Sequence, residues 1–445
     1  MVMEKNTKDF YLVEDWVDFD KSHLESISRE YFTKKGMDAF VKKGNSHIIP
    51  NLISTSLAHA HNVASIFKNN IQTLPTDRKL RILECGSGSG IFSRHFLIAA
   101  QDLGFLDRVE LIISDFSEQS LRHIKERKVL EGFTENEHYS FLVLNLLDSS
   151  TAVNLDGDSV NLKEIDLAVL NYVMDALPMI PLAKNSDGLF HKQQIRILSR
   201  SDNEETDIVN NTSYFSSLMV EYRWEPYDVH SASNLEQDFF NIFSDLTAEH
   251  SEGWQSRYSY GSLNALKLLN SILSNNGMIY IADIPSPLLT KKQNQHYMLF
   301  GNSKANYINE DLMINYMQSL GYSSLQKREA NLSRIIFCKN DSAMTNKNFR
   351  EFFLNARDLE RFLEICSMFQ TIKDSSLSDV AKLLLDKLLE IDNQSSTALT
   401  FQGSYHFLNK NYEKALDFYK QAREIDFSSA WDLDFKISGT EMFIE

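Results

Sequence analysis

The sequence predicts an α/β fold in which a parallel sheet carries helices on both faces, followed by an all-α region at the carboxyl end. Three observations carry that prediction. Apolar runs of strand length alternate with helical patterns between Lys79 and Asn340, the rhythm of a parallel sheet with crossover helices. The stretch Glu84-Cys85-Gly86-Ser87-Gly88-Ser89-Gly90 puts three glycines at alternate positions between the first of these runs and a helical pattern. From Phe349 onward the chain reads helical, is almost free of glycine and proline, and echoes itself at a 34-residue spacing.

Leu80-Arg81-Ile82-Leu83 is the first strand, and the turn after it is where a nucleotide-like cofactor would sit. Glycine adopts φ > 0 and has no side chain in the way, so the N–H groups of such a strand-to-helix turn can face a ligand. Phosphate-binding turns read G-x-G-x-x-G or G-x-x-x-x-G-K-[ST]. This turn has neither spacing and no lysine. Glu84 at the strand end would repel a pyrophosphate and attract an ammonium group, as carried by the amino-acid half of S-adenosylmethionine. That cofactor is therefore expected in place of NAD or ATP. The second strand, Val109 to Asp115, also ends in an acid, followed by Phe116 and Ser117 and then the helical pattern from Leu121 to Leu130. An acid at that place suits the two ribose hydroxyls of a nucleoside, and Asp115 lies 25 residues beyond Gly90, the distance one helix and one strand require. Tyr139 to Asn145, Ile165 to Asn171 and Gly277 to Asp283 are the next three strands. Asn309-Glu310-Asp311 starts a helix that Gly321 stops, and runs around Leu325 and from Ser333 to Cys338 form a closing hairpin.

With these residues the chain resembles the class I S-adenosylmethionine-dependent methyltransferases, whose first motif is E-x-G-x-G-x-G. The resemblance spans Lys79 to Asn340 and implies a Rossmann-like sheet of seven strands, with Asn275-Asn276-Gly277 as the turn that introduces the fifth. It implies that Glu84, Gly86, Ser87, Gly88 and Gly90 bind the cofactor, that Asp115 holds the ribose and that Phe116 walls the adenine. Asn145, with Asp148 as the nearby alternative, would meet the adenine amino group, and Leu146 and Asn171 complete the expected cofactor-binding set. Asn171-Tyr172-Val173-Met174-Asp175-Ala176-Leu177-Pro178 is similar to the N-E-x-x-D-A-L-P segment of the mitochondrial complex I assembly arginine methyltransferase family, with Tyr172 where that family has glutamate. Methyl transfer is a single in-line displacement, so the protein has to align acceptor and methyl group and exclude water. Asp175 is the candidate catalytic residue, taking or orienting the acceptor proton. Its other reading is an acid at a helix start that complements the dipole or caps a turn.

At 445 residues the chain exceeds the size at which single cores stop growing, so two or three units are expected. The boundaries drawn are a helical lid over 1–75, the methyltransferase domain over 76–345 and the helical repeats over 346–445. Lysine and arginine total 45 against 61 acids, a net charge of −16, which argues against nucleic acid as a partner. Cys85, Cys338 and Cys366 suggest neither a disulfide framework nor a zinc site, and fit a reducing compartment. The start, Met1 to Asp20, has no apolar core of a signal peptide, and no run has the length of a membrane helix. A cytoplasmic location is expected, and the sequons at Asn210, Asn211, Asn331, Asn340 and Asn393 are then chance matches.

Two regions outside the sheet are candidates for specificity. Ser22 to Leu74 reads as helices broken at Gly36, Gly44 and Pro50, and would fold over the cofactor. Within it, His59 and His61 point to different helix faces, so no metal site is expected and partly exposed helix positions are the better reading. The insertion over 184–260 contains a polar stretch, Ser199 to Thr212, and the aromatics Tyr214, Phe215, Tyr222, Trp224 and Tyr227, which either wall the acceptor or form a small core. In the carboxyl-terminal region, Leu388-Leu389-Glu390-Ile391-Asp392 is echoed by Ala422-Arg423-Glu424-Ile425-Asp426, with Ala381 and Leu385 matched by Ala415 and Tyr419. That period, with Gly403 and His406, resembles tetratricopeptide helix pairs, with Phe369 where the earlier unit should have glycine. Such a groove would recruit a protein or peptide substrate, in contrast to a small-molecule acceptor or a silent cofactor-binding scaffold. The oligomeric state is not legible.

Overall fold

The computed structural model describes residues 10–40, 56–71, 74–184, 189–200, 217–228, 234–247, 254–285, 296–300, 303–329, 332–339, 349–350, 353, 365, 378–425 and 430–444. The chain opens with β1 (Tyr11–Asp18), α1 (His23–Lys35) and α2 (Leu57–Asn70). An alternating run follows: β2 (Leu80–Cys85), α3 (Ile91–Asp102), β3 (Val109–Asp115), α4 (Glu118–Glu126), β4 (Tyr139–Asn145), β5 (Asp148–Val153) and β6 (Ile165–Asn171). Next come β7 (Ile180–Lys184), β8 (Phe190–Ser199), β9 (Leu218–Pro226), α5 (Asn234–Thr247), β10 (Trp254–Tyr258) and α6 (Tyr260–Ile272). β11 (Leu273–Asp283), β12 (Tyr297–Phe300), β13 (Ser303–Asn306), α7 (Glu310–Ser319), β14 (Ser323–Glu329) and β15 (Leu332–Cys338) precede the carboxyl-terminal helices α8 (Ser378–Ile391), α9 (Ser396–Leu408), α10 (Tyr412–Ile425) and α11 (Ala430–Glu441). These elements fall into two compact units, each discontinuous in sequence. The larger holds Gly36–Asn171, Ile272–Tyr280 and Cys338–Glu445, and the smaller holds Met1–Lys35, Tyr172–Ser271 and Ile281–Phe337.

In the larger unit the strands lie in the order β11-β6-β2-β3-β4-β5. β2 pairs parallel with both β3 and β6, β3 pairs parallel with β4, and β5 returns antiparallel along β4. Every residue of β6 is buried, the continuous apolar pattern of a strand covered on both faces. The chain leaves β2 for β3 on one side while β6 occupies the other, so the order reverses at β2. Crevices open at such a reversal, outside the carboxyl ends of the strands. α2 turns Ala60, Val63, Ala64 and Phe67 inward, a face of helical period that packs on α3. Asp166, fully buried on β6, accepts both guanidinium nitrogens of Arg78 at 2.7 and 2.9 Å, the N–H of Arg81 at 2.9 Å and the hydroxyl of Ser274 at 2.8 Å.

β11 corrects the sequence reading. The expected turn at Asn275–Gly277 is absent, because α6 runs directly into a strand that begins at Leu273. Gly277 lies inside that strand, where a Cβ would stand 2.7 Å from the carbonyl oxygen of Ile165. The glycine serves a close approach of backbones, not a turn.

The carboxyl-terminal helices of the larger unit bury Leu385, Leu388 and Ala398 in one cluster, and Leu399, Ala415, Tyr419, Ala422 and Leu433 in another. The pairs matched at 34 residues, Ala381 with Ala415, Leu385 with Tyr419 and Leu388 with Ala422, are all buried. Phe369 lies outside the described residues. A Cβ on Gly403 would sit 2.5 Å from the ring of Tyr419, so only glycine lets α9 and α10 cross this closely. Gly403→Val is expected to destabilise this region by roughly 1–3 kcal/mol, read as a lower midpoint in a thermal melt followed by far-ultraviolet circular dichroism.

The smaller unit carries an antiparallel sheet that the sequence did not predict. β8 pairs along one edge with β9, and along the other with β7 and then β1. β10 adds to β7. Gln193, Ile195 and Ile197 of β8 point inward at period two, and Phe19, Leu24, Ile27, Met179, Ile195, Ile197 and Tyr297 form the core. Of the insertion aromatics, Tyr222 shares a hydroxyl contact of 3.0 Å with Tyr297, Trp224 stands edge-on to His296, and Tyr227 packs on Phe240. The described aromatics thus form core contacts; Tyr214 and Phe215 lie outside the described residues. β14 lies beside β15 in this unit, and β12 and β13 form a separate hairpin. Asn309 caps α7 by accepting the N–H of Leu312, as its position predicted. Among the described residues no helix is long and apolar enough to cross a membrane.

Candidate functional site

The carboxyl ends of β2, β3, β4 and β6 gather the residues singled out in the sequence. Gly86, Gly88 and Gly90 all have positive φ, at 69°, 52° and 75°, so the turn requires glycine at each. The N–H of Ser87 donates to the carbonyl of Ser114 at 2.9 Å, and that of Gly90 to the carbonyl of Ser87 at 2.8 Å. Gly90 caps α3, and its bare Cα faces Ile124, whose side chain would lie 3.0 Å from an added Cβ.

Glu84 is buried at the end of β2, where its Oε2 accepts a short hydrogen bond from the hydroxyl of Ser93 in the first turn of α3. Burial pushes its pKa up to about 8, the Ser93 bond opposes the shift and the charge of Asp115 adds to it. A carboxyl raised in this way takes up its negative charge less readily than an exposed glutamate. Asp115 is buried as well. Its Oδ2 accepts the N–H of Gly88 at 3.0 Å and its Oδ1 the N–H of Ser117 at 2.9 Å, tying the glycine turn to the start of α4. Burial raises its pKa to about 6, against the pull of the N–H groups of Ser117, Gly88 and Phe116.

Phe116 is 40% exposed, an unusual state for a phenylalanine beside a buried acid. Asn145 is exposed at the end of β4 and accepts the N–H of Leu147 at 3.0 Å, while Leu146 is buried. Asn171 ends β6 with its Oδ1 3.0 Å from Nε2 of His59. Its Nδ2 is buried and has no partner among the described residues, as is true of the hydroxyl of Ser87. His59 overturns the expectation of a partly exposed position: it is fully buried, between the rings of Phe92 and Tyr280 at centroid distances of 5.6 and 5.7 Å. Its neighbour His61 is half-buried, 3.1 Å from Asp102. Among the described residues no group of three or more His, Cys, Asp or Glu side chains is arranged to hold a metal ion.

Asp175 belongs to the smaller unit, buried on a 3-10 turn over Met174–Ala176. The turn is capped from elsewhere. Oδ2 of Asp283, fully buried at the end of β11, accepts the N–H groups of Val173, Met174 and Asp175 at 3.1, 2.8 and 3.3 Å. Burial and then the charge of Asp283 hold the Asp175 carboxyl well above its ordinary range, with Lys304 opposing. Sequence reasoning missed Asp283 as a cap and missed Lys304, a buried lysine bound to Glu25 and, at 2.8 Å, to Asn306. Asp283 carried a signal, an acid at a strand end. Lys304 carried none. Tyr172 has a φ of 53°, a left-handed backbone that is rare for an aromatic residue and marks the bend after β6.

The described architecture is similar to that of a candidate methyltransferase from Burkholderia thailandensis bound to S-adenosylhomocysteine, with a TM-score of 0.51, 13% identity, and coverage of 85% of this chain and 84% of that one. The chain shares that fold. An uncharacterized protein of the same superfamily and organism matches with a TM-score of 0.48, 14% identity and coverage of 85% and 83%. Magnesium protoporphyrin IX methyltransferase from Synechocystis PCC 6803, with bound S-adenosylhomocysteine, matches at 0.33 and 12% identity, covering 71% of this chain and all of its own. No protein-family model matches the chain, and no curated protein matches it.

Proposed function

We propose that this chain is an S-adenosylmethionine-dependent methyltransferase. The observation that carries the reading is the turn of three positive-φ glycines at the reversal of strand order, flanked by two buried acids, Glu84 and Asp115. The residues fit the cofactor. Glu84, buried at the strand end next to the turn, is a carboxyl able to meet an ammonium group, and Asp115, held by the N–H groups of Gly88 and Ser117, would accept the ribose hydroxyls. The Ser87 hydroxyl and Asn171 Nδ2, without a hydrogen-bond partner among the described residues, are free to meet polar atoms of a ligand. Phe116 would wall the adenine, and Asn145 with Leu146 would border it. The parallel order β6-β2-β3-β4 of the larger unit, read with the E-x-G-x-G-x-G motif, supports a methyltransferase sheet.

The bound cofactor would supply a sulfonium methyl group. The protein's part is to hold the nucleoside and amino-acid ends, exclude water and provide for the acceptor proton. Asp175 is the proposed proton acceptor, and a carboxyl raised by burial is suited to that work near neutral pH. The N-x-x-x-D-A-L-P segment favours an arginine-methylating relative, and the carboxyl-terminal helices, read as tetratricopeptide pairs, would recruit a protein or peptide acceptor. A small-molecule acceptor is the second reading.

The reading is tested by titrating the full chain with S-adenosylhomocysteine in a calorimeter, and by following labelled methyl groups from the cofactor into protein and small solutes of a cell extract. Binding and transfer into protein are expected. Asp175→Asn should slow transfer by about 10²-fold or more while the affinity stays unchanged. Binding without transfer to either fraction would leave a scaffold in place of an enzyme, and absence of binding would end the reading.

A further inference from the structure

We propose that the carboxyl-terminal helical region positions the cofactor site through one hydrogen-bonded relay, from Asp392 through Ser56 and His59 to the amide of Asn171. The proposal rests on the methyltransferase reading for what Asn171 meets. All four residues belong to the larger unit.

Asp392 occupies the corner between α8 and α9 and is buried. Its Oδ1 accepts the N–H of Gln394 at 3.2 Å and so holds its own corner. Its Oδ2 reaches a segment more than three hundred residues away in sequence, accepting the hydroxyl of Ser56 at 3.0 Å and the N–H of Ala58 at 3.1 Å. A carboxylate at this place serves the first turn of α2, whose N–H groups have no partner within the helix. Ser56 is the N-cap of α2, and the same hydroxyl oxygen that donates to Asp392 accepts the N–H of His59 at 3.2 Å. The imidazole of His59 then stands 3.0 Å from Oδ1 of Asn171. Oδ1 can only accept, so Nε2 carries the proton. That bond turns the Asn171 amide so that Nδ2 keeps both hydrogens, buried and without a partner among the described residues. Such a donor at the end of β6 is placed to meet an acceptor of the ligand, such as a carboxylate or hydroxyl oxygen of the cofactor.

The two ends of this relay differ in kind. One lies in the region read as a partner-binding array, and the other in the proposed cofactor crevice. A change at the Asp392 corner moves the cap of α2, the cap sets the first turn that carries His59, and His59 sets the amide. The Asp that ends the Leu388–Asp392 motif has a purpose beyond the packing of its own helices.

The test uses the full chain as wild type, Asp392→Ala, Ser56→Ala, His59→Leu and His59→Gln, each checked by thermal melting. Titration with S-adenosylhomocysteine is expected to show about tenfold weaker binding for Asp392→Ala and His59→Leu. His59→Gln, whose amide N–H can still donate to Asn171, should bind within about threefold of wild type. In the ligand-free protein labelled with ¹⁵N-histidine, the ring signals of His59, assigned by their loss in His59→Gln, should show a proton on Nε2 and should move in Asp392→Ala. A lower melting midpoint for Asp392→Ala with wild-type affinity and unmoved His59 signals would overturn the relay and leave Asp392 a packing residue. Should Asp392→Ala not fold, Ser56→Ala, which leaves Asp392 on Ala58, reads the same two quantities. If wild type itself fails to bind S-adenosylhomocysteine, the methyltransferase reading falls, and the His59 signals still decide the relay.

Discussion

Asp115→Ala is expected to weaken S-adenosylhomocysteine binding by about 10²- to 10⁴-fold, the larger of the binding losses foreseen. The carboxylate stands buried, its Oδ2 accepting the N–H of Gly88 and its Oδ1 that of Ser117, and a carboxylate has further acceptor capacity for ribose hydroxyls. Two ribose hydroxyls would each form a hydrogen bond to a charged acceptor, worth roughly 1.5–3 kcal/mol apiece. Alanine removes both and also frees the Gly88 N–H, so the turn loses the anchor that fixes it relative to α4. With a pKa of about 6, Asp115 is mostly ionised at pH 7, which keeps it a strong acceptor there. Asp115→Asn retains one acceptor oxygen and should fall between wild type and alanine. Calorimetric titration at pH 7 measures all three. Wild-type affinity in the alanine variant would remove Asp115 from the site.

The parts of this architecture that were legible in the sequence are those where local chemistry has one structural solution. Alternate glycines after an apolar run demand positive φ, and all three have it. The runs Val109–Asp115, Tyr139–Asn145 and Ile165–Asn171 became strands with those bounds, and the run Leu80–Leu83 became a strand that extends to Cys85; β6, buried along its whole length, shows why such runs are readable. Legibility fails where the deciding contact is distant. Within the insertion, Phe190–Ser199 was not read as a strand, and its partners, Tyr11–Asp18 and Leu218–Pro226, lie in other parts of the chain. Asn275-Asn276-Gly277 has the composition of a turn, and the carbonyl of Ile165 lying against Gly277 makes it a strand. His59 offered only a spacing to His61, and its burial comes from Phe92, Asn171 and Tyr280. Asp392 was visible as part of a repeated motif, and nothing local could show that its carboxylate caps a helix near the amino end.

Glu84→Gln should stabilise the ligand-free protein and weaken cofactor binding at once. Burial without a cation lifts the Glu84 carboxyl from 4.5 to about 8. The sign follows from linkage: a carboxyl with a raised folded pKa contributes stability that is complete below the unfolded pKa and is lost as pH rises through the folded one. Wild type should therefore lose stability between about pH 5 and pH 8, and the glutamine variant, which keeps the acceptor for Ser93 and has no proton to lose, should not lose this part. The difference should approach zero at pH 5 and be on the order of 4 kcal/mol above pH 8, read from denaturant melts across that range. Binding runs the other way. To meet an ammonium group Glu84 must ionise, so cofactor capture releases its proton, and affinity should climb from pH 6 to pH 8 in wild type and much less in the variant. Calorimetry at pH 7 in buffers of different ionisation enthalpy should report about one proton released by wild type and a smaller number by Glu84→Gln. A carboxyl stored neutral and charged only by its ligand explains how a dry crevice can favour a cationic amino acid without holding an unpaired anion beforehand. Equal affinities and equal proton release in the two proteins would place the ammonium elsewhere.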